Sequence, residues 1–228
     1  MFEVVSSGVY ILVSRSFDSN IGLIASGERK ALVDTGTGVY HSYLESALSK
    51  LGIDISSITD ILLTHSHVDH IGGVSNIIRH ASPTIHLHKA EADPINSGDM
   101  RFTLADTFGA EVPRIKIEGV LEEGMIIEIG DIQVKVLHTP GHSGGSVCFH
   151  LENEELVFTG DTMFSGGSFG RVDFPTGDPR KIVASLKRLT ELSSFNIALP
   201  GHMGPVRNNA LRSALSSYSM AKDWFNVE

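Results

Sequence analysis

The chain has 228 residues, enough for one large domain or two small ones with a sizeable buried core. Hydrophobic residues make up 41% and charged residues 20%, as in an ordinary globular protein, and the formal net charge of −9 argues against a broad basic surface for nucleic acid or anionic membrane. The single cysteine, Cys148, excludes an internal disulfide and fits a reducing compartment. We find no signal-peptide pattern and no apolar run near the roughly 20 residues that span a bilayer, so we expect a cytoplasmic protein with no membrane partner.

The first half of the chain alternates short β-prone runs with amphipathic segments. Strands are predicted at residues 9–13, 20–25, 30–33, 61–63 and 84–88. One helix is predicted over residues 39–51, where Gly52 ends it, and a second from about Gly72 through Ile78. Residues 91–108 show weak periodicity, and we interpret them as short helices or a cap.

Strands return in the second half, and two longer helices follow them. The strands are predicted at residues 125–129, 132–137, 145–150, 156–159 and 195–199. A helix is predicted over residues 178–192, with Asp178 as N-cap and Pro179 at its first position, and a closing helix over residues 211–224. Two blocks of strands with helices predict an α+β protein in which one sheet packs on another and helices lie outside. No repeat or linker is evident, so residues 1–228 are predicted to form a single domain.

Four segments share one layout, in which an apolar strand runs into a turn that carries His or Asp. These turns contain His65, His67, Asp69 and His70; His142; Asp161; and His202. Loops at strand ends are where a rigid scaffold presents functional groups. If the strands are neighbours, the four turns meet at one edge of the sheets.

The residue types in these turns predict a metal site. Imidazole and carboxylate groups are the ligands that suit zinc and similar divalent ions. Four of them fall within residues 65–70, where a short turn can direct two ligands at one metal ion and two at its neighbour. A carboxylate such as that of Asp161 can bridge both ions. A lone His after a strand is usually structural, but this density of ligand types favours a two-metal site.

These segments resemble the metallo-β-lactamase superfamily. The run Thr64-His65-Ser66-His67-Val68-Asp69-His70 is similar to its His-x-His-x-Asp-His signature, and the turns around His142, Asp161 and His202 are similar to its later motifs, in the same order. The resemblance implies a four-layer αβ/βα sandwich of two mixed β-sheets with helices outside. It also implies two ligand sets and a bridge: His65, His67 and His142; Asp69, His70 and His202; and Asp161 between them.

Further implications of this resemblance concern single positions. Asp34 follows a strand where the family places a carboxylate that orients a ligand imidazole, although a turn cap is an alternative. The histidine at position 67 argues against membership of the di-iron oxygen-reducing branch, which has a glutamate at this position. Asp69 and Asp161 are expected to be the catalytic carboxylates.

The loop that follows Asp161 resembles that of the glyoxalase II-like group. Arg171 falls where this group often has a basic residue near the substrate, so it is expected to bind substrate; an ion pair with Asp173 that braces the loop is the alternative. The chain lacks the long basic C-terminal region of enzymes with a dedicated glutathione site, so glutathione recognition is not carried over. Residues 92–119 are instead a candidate substrate-cap insertion, with apolar contacts from Met100, Phe102, Leu104 and Phe108.

The predicted activity is that of a metal-dependent hydrolase that uses a metal-bridging hydroxide to cleave a thioester or another ester-like bond of a small molecule, as in hydroxyacylglutathione hydrolase. Two Zn²⁺ ions are the expected cofactors, with iron or a mixed zinc–iron pair as alternatives. The rival activity is a sulfur (persulfide) dioxygenase with one Fe(II) at His65, His142 and Asp161. A nuclease or phosphodiesterase, a lactonase and a lactamase rank lower. Nucleic acid is not an expected partner, and a homodimer is left open.

Overall fold

The computed structural model describes residues 1–14, 16–110, 112 and 114–227. Its first sheet has seven strands that follow one another in chain order. They are β1 (Glu3–Ser6), β2 (Val9–Leu12), β3 (Ile21–Ser26), β4 (Arg29–Val33), β5 (Asp60–Leu62), β6 (Thr84–His88) and β7 (Gly119–Leu121). The pairs from β1 to β4 are antiparallel, whereas those from β4 to β7 are parallel.

Parallel neighbours need long crossovers, and helices provide them in this sheet. The crossovers contain α1 (His41–Ser49), α2 (Val68–Ile71), α3 (Val74–Ile77), α4 (Lys89–Asn96) and α5 (Ala105–Phe108). Apolar residues of α1 to α4 and of the sheet's outer face form one buried cluster, which includes Leu48, Ile77 and Ile95. This cluster joins the first helix layer to the first sheet.

The second sheet has five strands in the order β12-β11-β10-β9-β8. They are β8 (Ile126–Ile129), β9 (Ile132–His138), β10 (Val147–Leu151), β11 (Leu156–Gly160) and β12 (Ile197–Pro200). Only the β11–β12 pair is parallel, and the segment between these strands contains α6 (Pro179–Thr190). The helix α7 (Ala210–Phe225) follows β12 and packs beside α6.

The two sheets pack face to face. Every residue of β10 and β11 is buried, because these strands have the other sheet on one side and helices on the opposite side. Gly22 on β3 allows a close approach, since a Cβ there would lie 2.3 Å from the ring of Phe158 on β11. Helix, sheet, sheet and helix form four layers, which confirms the predicted αβ/βα sandwich with two mixed sheets.

Several predicted elements differ from the structure. The second predicted helix corresponds to α3, whose N-cap is Gly73 and whose C-cap is Ile78. The helix before it was not predicted: α2 begins at Val68, with His67 as its N-cap, and carries Asp69 and His70. These polar residues are buried, so they conceal the apolar periodicity by which a helix is recognised. The short strands β1 and β7 were not predicted. The cap of α6 was predicted correctly, since the Asp178 carboxylate accepts hydrogen bonds from the backbone amides of Arg180 and Lys181.

Residues 92–119 hold most of α4, all of α5 and the approach to β7. Ala92, Ile95, Ile115 and Ile117 of this segment belong to the outer apolar cluster of the first sheet. Within the described ranges, no helix is both long and apolar enough to cross a bilayer.

Candidate metal centre

The four His- and Asp-bearing turns meet at one edge of the sandwich, as expected if their strands are neighbours. They follow β5 of the first sheet and β9, β11 and β12 of the second. The site is therefore formed by both sheets, at the carboxyl ends of these four strands. Six of its seven predicted ligands are buried, and His202 is partly exposed.

Three imidazoles face one another in the first half of the site. Nδ1 of His67 lies 3.1 Å from Nε2 of His65 and 2.9 Å from Nε2 of His142. Burial and the neighbouring imidazoles lower the pKa of His65 well below its usual value, and they lower the pKa of His67 to about 3. Both rings are therefore neutral at physiological pH, and neutral imidazole is the form that binds metal.

Carboxylates dominate the second half of the site. Oδ2 of Asp69 lies 3.1 Å from Nε2 of His202, and Oδ1 of Asp161 lies 3.3 Å from Nε2 of His70. Oδ2 of Asp161 lies 3.6 Å from Nε2 of both His142 and His202, so this carboxylate faces both halves. Burial disfavours protonation of His70, but the nearby carboxylates of Asp34, Asp161 and Asp69 outweigh it and raise the pKa of His70.

This donor set fits divalent metal ions. Ligand atoms of His65, His67 and His142, of His65, His70 and Asp161, and of Asp69, His70 and His202 form three groups, each within 4.8 Å. Nitrogen ligands of one tetrahedral zinc ion lie roughly 3.3 Å apart, close to the separations in the first half. Nε2 of His70 and Oδ1 of Asp161 are buried and have no hydrogen-bond partner, although buried polar atoms usually have one. Such atoms are available as ligands.

Asp34 and Thr64 orient His70. The Asp34 carboxylate lies 2.8 Å from Nδ1 of His70 and accepts hydrogen bonds from the backbone amide and the hydroxyl of Thr64, both at 2.8 Å. When Nδ1 donates to this carboxylate and Nε2 has lost its proton, as in a metal-binding imidazole, Nε2 carries the lone pair that faces Asp161. Asp34 thus contacts a ligand imidazole as the resemblance implied, whereas nothing in the sequence pointed to Thr64.

His142 is oriented by a backbone carbonyl. Its Nδ1 lies 2.7 Å from the carbonyl oxygen of Arg171. A carbonyl only accepts, so Nδ1 is the donor and Nε2 is left free to face His67. Because this contact involves the backbone of Arg171, the type of side chain gave no signal for it.

Glu91 on α4 connects two of the ligand-bearing turns. One carboxylate oxygen accepts a hydrogen bond from the backbone amide of Ser66 at 2.7 Å, and the other accepts from that of Gly145 at 3.1 Å. Glu91 is 1% exposed, and an acidic side chain this deeply buried needs such partners. The sequence analysis missed it, because it lies in a stretch with weak periodicity.

The position before His202, occupied by Gly201, has no room for a side chain. A Cβ at position 201 would lie 2.3 Å from Oδ1 of Asp161 and 2.7 Å from Cε1 of His70. Any larger residue would push one of these two groups aside. The backbone of β12 therefore approaches the centre closely enough to deliver His202.

A cleft of about 330 Å³ opens on the ligands, within the range of small-molecule sites. Most of its walls are apolar and aromatic. They include Phe17, Phe108, Phe164, Phe169, Phe174 and Met203. The ring centroid of Phe174 lies 5.3 Å from that of His67, and the ring centroid of Phe164 lies 6.0 Å from that of His202.

Arg171 lines this cleft, but its guanidinium is engaged by a neighbour. It forms a two-pronged ion pair with Asp173, at 2.9 and 2.6 Å, and lies 4.7 Å from the centroid of the Phe174 ring. The ion pair between Arg171 and Asp173, which was the alternative to substrate binding, is thus present in the structure. Of the described residues in the candidate cap, Phe108 reaches the cleft lining, whereas Leu104 is buried and Met100 packs against the outer apolar cluster.

Comparison with known proteins places the chain in a family. A model of the metallo-beta-lactamase superfamily matches residues 15–202. The chain is 29% identical to acyl-coenzyme A thioesterase MBLAC2 of Bos taurus, over 92% of this chain and 84% of that protein. It is 28% identical to hydroxyacylglutathione hydrolase GloC of Haemophilus influenzae, over 85% of this chain and 90% of that protein.

A solved structure shows the same fold. The di-iron-bound form of TTHA1623 superposes with a TM-score of 0.72 at 31% identity, covering 89% of this chain and 96% of that one. The family match covers most of the chain, and its residues bring together the metal ligands that the family signature predicts. The chain belongs to the metallo-beta-lactamase superfamily and is a metallo-hydrolase of that superfamily.

Proposed function

We propose that the chain hydrolyses thioesters of small molecules whose acyl part is apolar. The observation that carries this proposal is the position of the aromatic cleft directly over the ligand cluster. A carbonyl held beside Asp69 and Asp161 would place its acyl substituent against phenylalanine rings. Among the described residues of the cleft lining, Arg171 is the one Lys or Arg, and Asp173 already pairs with it. Two relatives named as a thioesterase and a hydroxyacylglutathione hydrolase support the same bond type.

We assign the ligands as two sets that share one residue. His65, His67 and His142 would hold one ion, Asp69, His70 and His202 the other, and Asp161, which faces both sets, would bridge them. A pair of divalent ions, when bound, makes water a nucleophile at neutral pH and polarises the substrate carbonyl. We propose zinc as the metal, and the di-iron form of TTHA1623 makes iron the alternative.

The chain's own residues position the reactants. The Asp69 carboxylate is in the cleft wall, where it can orient the attacking water by accepting its hydrogen bond. Phe174 and Phe108 exclude solvent from the acyl side, and their ring centroids are 6.3 Å apart. The leaving group is a thiolate. Since a free thiol has a pKa of about 8.5, it needs less help from a protein acid than an amine or alkoxide does.

The test combines metal content with two kinds of turnover. Protein produced without metal bias is analysed for zinc and iron, and then assayed for thioester hydrolysis and for sulfur-dependent oxygen uptake. We expect at least two ions per chain and hydrolysis. One iron per chain with oxygen uptake would instead establish the dioxygenase and overturn the proposal.

Acyl specificity is tested with substrates that share one thiol. Aliphatic acyl and hydroxyacyl thioesters of the same thiol are compared in the wild type, in Phe108→Ala and in Ile126→Ala, a control on an exposed strand of the second sheet. We expect Phe108→Ala to lower kcat/KM about ten-fold for the aliphatic thioester and to change the hydroxyacyl thioester less. Equal losses for both would argue against an apolar acyl site.

A further inference from the structure

A second group of potential metal ligands lies outside the centre described above. It consists of His41 and Glu45 on α1 and His80, which follows α3; we call it the α1–α3 cluster. Each residue offers one ligand atom, and these atoms lie within 4.8 Å of one another. None of the three lines the aromatic cleft or contributes to the ligand sets assigned above.

The nitrogen of His41 is the most informative atom of this cluster. Its Nε2 is buried and has no hydrogen-bond partner. The nearest carboxylate oxygen, Oε1 of Glu45, lies 3.5 Å away, which is too far for a good hydrogen bond. A buried nitrogen without a hydrogen-bond partner is uncommon, and it is therefore a candidate for a metal ligand.

The other two ligands complete a chelate around it. His41 and Glu45 are one helical turn apart, so their side chains emerge from the same face of α1. The ring of His80 is nearly parallel to that of His41, at an interplanar angle of 16° and a centroid separation of 6.0 Å. Burial lowers the pKa of His41, with His80 and Arg79 adding to the effect and Glu45 opposing it. The neutral ring keeps a lone pair for a metal.

The backbone around this cluster is fixed by contacts of its own. The side-chain amide of Asn76 donates to the carbonyl of Gly38 at 3.0 Å, which holds α3 against the segment before α1. The backbone amide of His80 donates to the carbonyl of Ile77 at 2.9 Å, which continues the end of α3. The backbone that carries the three side chains is therefore held in place before any ion binds, which reduces the entropic cost of binding one.

We propose that His41, Glu45 and His80 form a second metal site, separate from the predicted catalytic centre, for a divalent transition metal such as Zn²⁺. Two imidazoles and one carboxylate suit this class of ion, and water would fill the open positions at the surface. The bound ion would join α1 to the end of α3. Its role would be to stabilise the first helix layer.

The test measures bound zinc by equilibrium dialysis at buffered free Zn²⁺ followed by elemental analysis. His80→Ala removes an exposed ligand, and Arg79→Ala, at the adjacent position, is the matched control. We expect His80→Ala to bind one zinc ion per chain fewer than the wild type. We expect Arg79→Ala to bind as many as the wild type, because it removes a nearby positive charge and no ligand.

A second readout separates this site from the predicted catalytic centre. Zinc should raise the Tm of the wild type by an increment that is smaller in His80→Ala and in Glu45→Gln, while thioester hydrolysis stays unchanged in both. An anomalous zinc peak between the His41 and His80 rings in a crystal would show the site directly. Equal zinc content in the wild type and His80→Ala would overturn the proposal, whatever the enzyme's activity proves to be.

Discussion

The two ends of β5 hold buried carboxylates in opposite electrostatic situations. At its start, Asp60 accepts hydrogen bonds from Arg29 at 2.8 Å, from the Thr59 hydroxyl at 2.7 Å and from His86 at 3.0 Å. Past its other end, the carboxylates of Asp34, Asp69 and Asp161 surround one imidazole, that of His70.

The difference shows where the chain supplies its own positive charge. Burial alone would raise the pKa of Asp60, but hydrogen bonds from His86, Thr59 and Arg29 together with the charge of Arg29 outweigh it and hold that pKa below its usual value. At the other end, His65 and His67 are neutral and bring no charge to offset the carboxylates. The raised pKa of His70 lets its imidazole supply one positive charge, but three carboxylates face it, so we expect bound metal ions to stabilise this end further.

The largest expected effect comes from Asp161→Ala, which removes the group that faces both ligand sets. We expect thioester hydrolysis to fall on the order of a thousand-fold or more. Metal content should drop at both positions, and the rise in Tm that metal gives the wild type should nearly vanish. Asp131→Asn, an exposed acid in the turn between β8 and β9, serves as the control. Turnover that survives Asp161→Ala would show that the centre lies elsewhere.

Asp34→Asn tests how much the orientation of His70 contributes to metal affinity and activity. Asn tolerates the positive φ of 58° at this position, so the backbone should be preserved. The loss of the charged acceptor for His70 should weaken metal affinity or activity about 10- to 100-fold. Metal titration followed by calorimetry checks this, and the weakened binding event should be one that is also lost in Asp161→Ala. Unchanged affinity would mean that Asp34 only caps a turn.

Glu91→Gln tests the link between two ligand-bearing turns. The variant keeps one acceptor oxygen but presents an NH₂ group to a backbone amide. We expect a loss of about 1–3 kcal/mol in the free energy of unfolding, measured by urea denaturation of the metal-free protein. Glu118→Gln, a surface position, should change stability little. A loss seen only in the metal-loaded protein would assign Glu91 to metal binding instead.

Asp60→Asn should have the smallest effect on activity, because the chain's own groups compensate the buried charge at this end of β5. We expect unchanged activity, and a loss of stability of about 1–3 kcal/mol at neutral pH. Since the folded pKa of Asp60 lies below its unfolded value, its contribution is present above the unfolded pKa and is lost as pH falls through the folded one. The difference in unfolding free energy between wild type and variant should therefore shrink in acid. A difference independent of pH would contradict this account.

Much of the fold could be predicted from the sequence, because strands of β-branched residues and amphipathic helices carry their own periodicity. The boundaries of β6 and the cap of α6 were predicted as found, whereas α2 was not predicted because its buried residues are polar. The ligand turns were recognisable because His and Asp are dense there. The roles of Thr64 and Glu91 were not, because their hydrogen-bond partners are distant in sequence: the Asp34 carboxylate for Thr64, and the backbone amides of Ser66 and Gly145 for Glu91.

The proposed metal centre spans both sheets, with predicted ligands from the turn after β5 to the turn after β12. This arrangement sets the order of events during biogenesis. Neither sheet alone presents both complete ligand sets, so a nascent chain cannot assemble the two-ion centre until β12 has been synthesised and the sandwich has closed. Metal loading would then be a late maturation step that follows completed folding. A chain whose two sheets fail to pack together would be unable to retain a pair of ions.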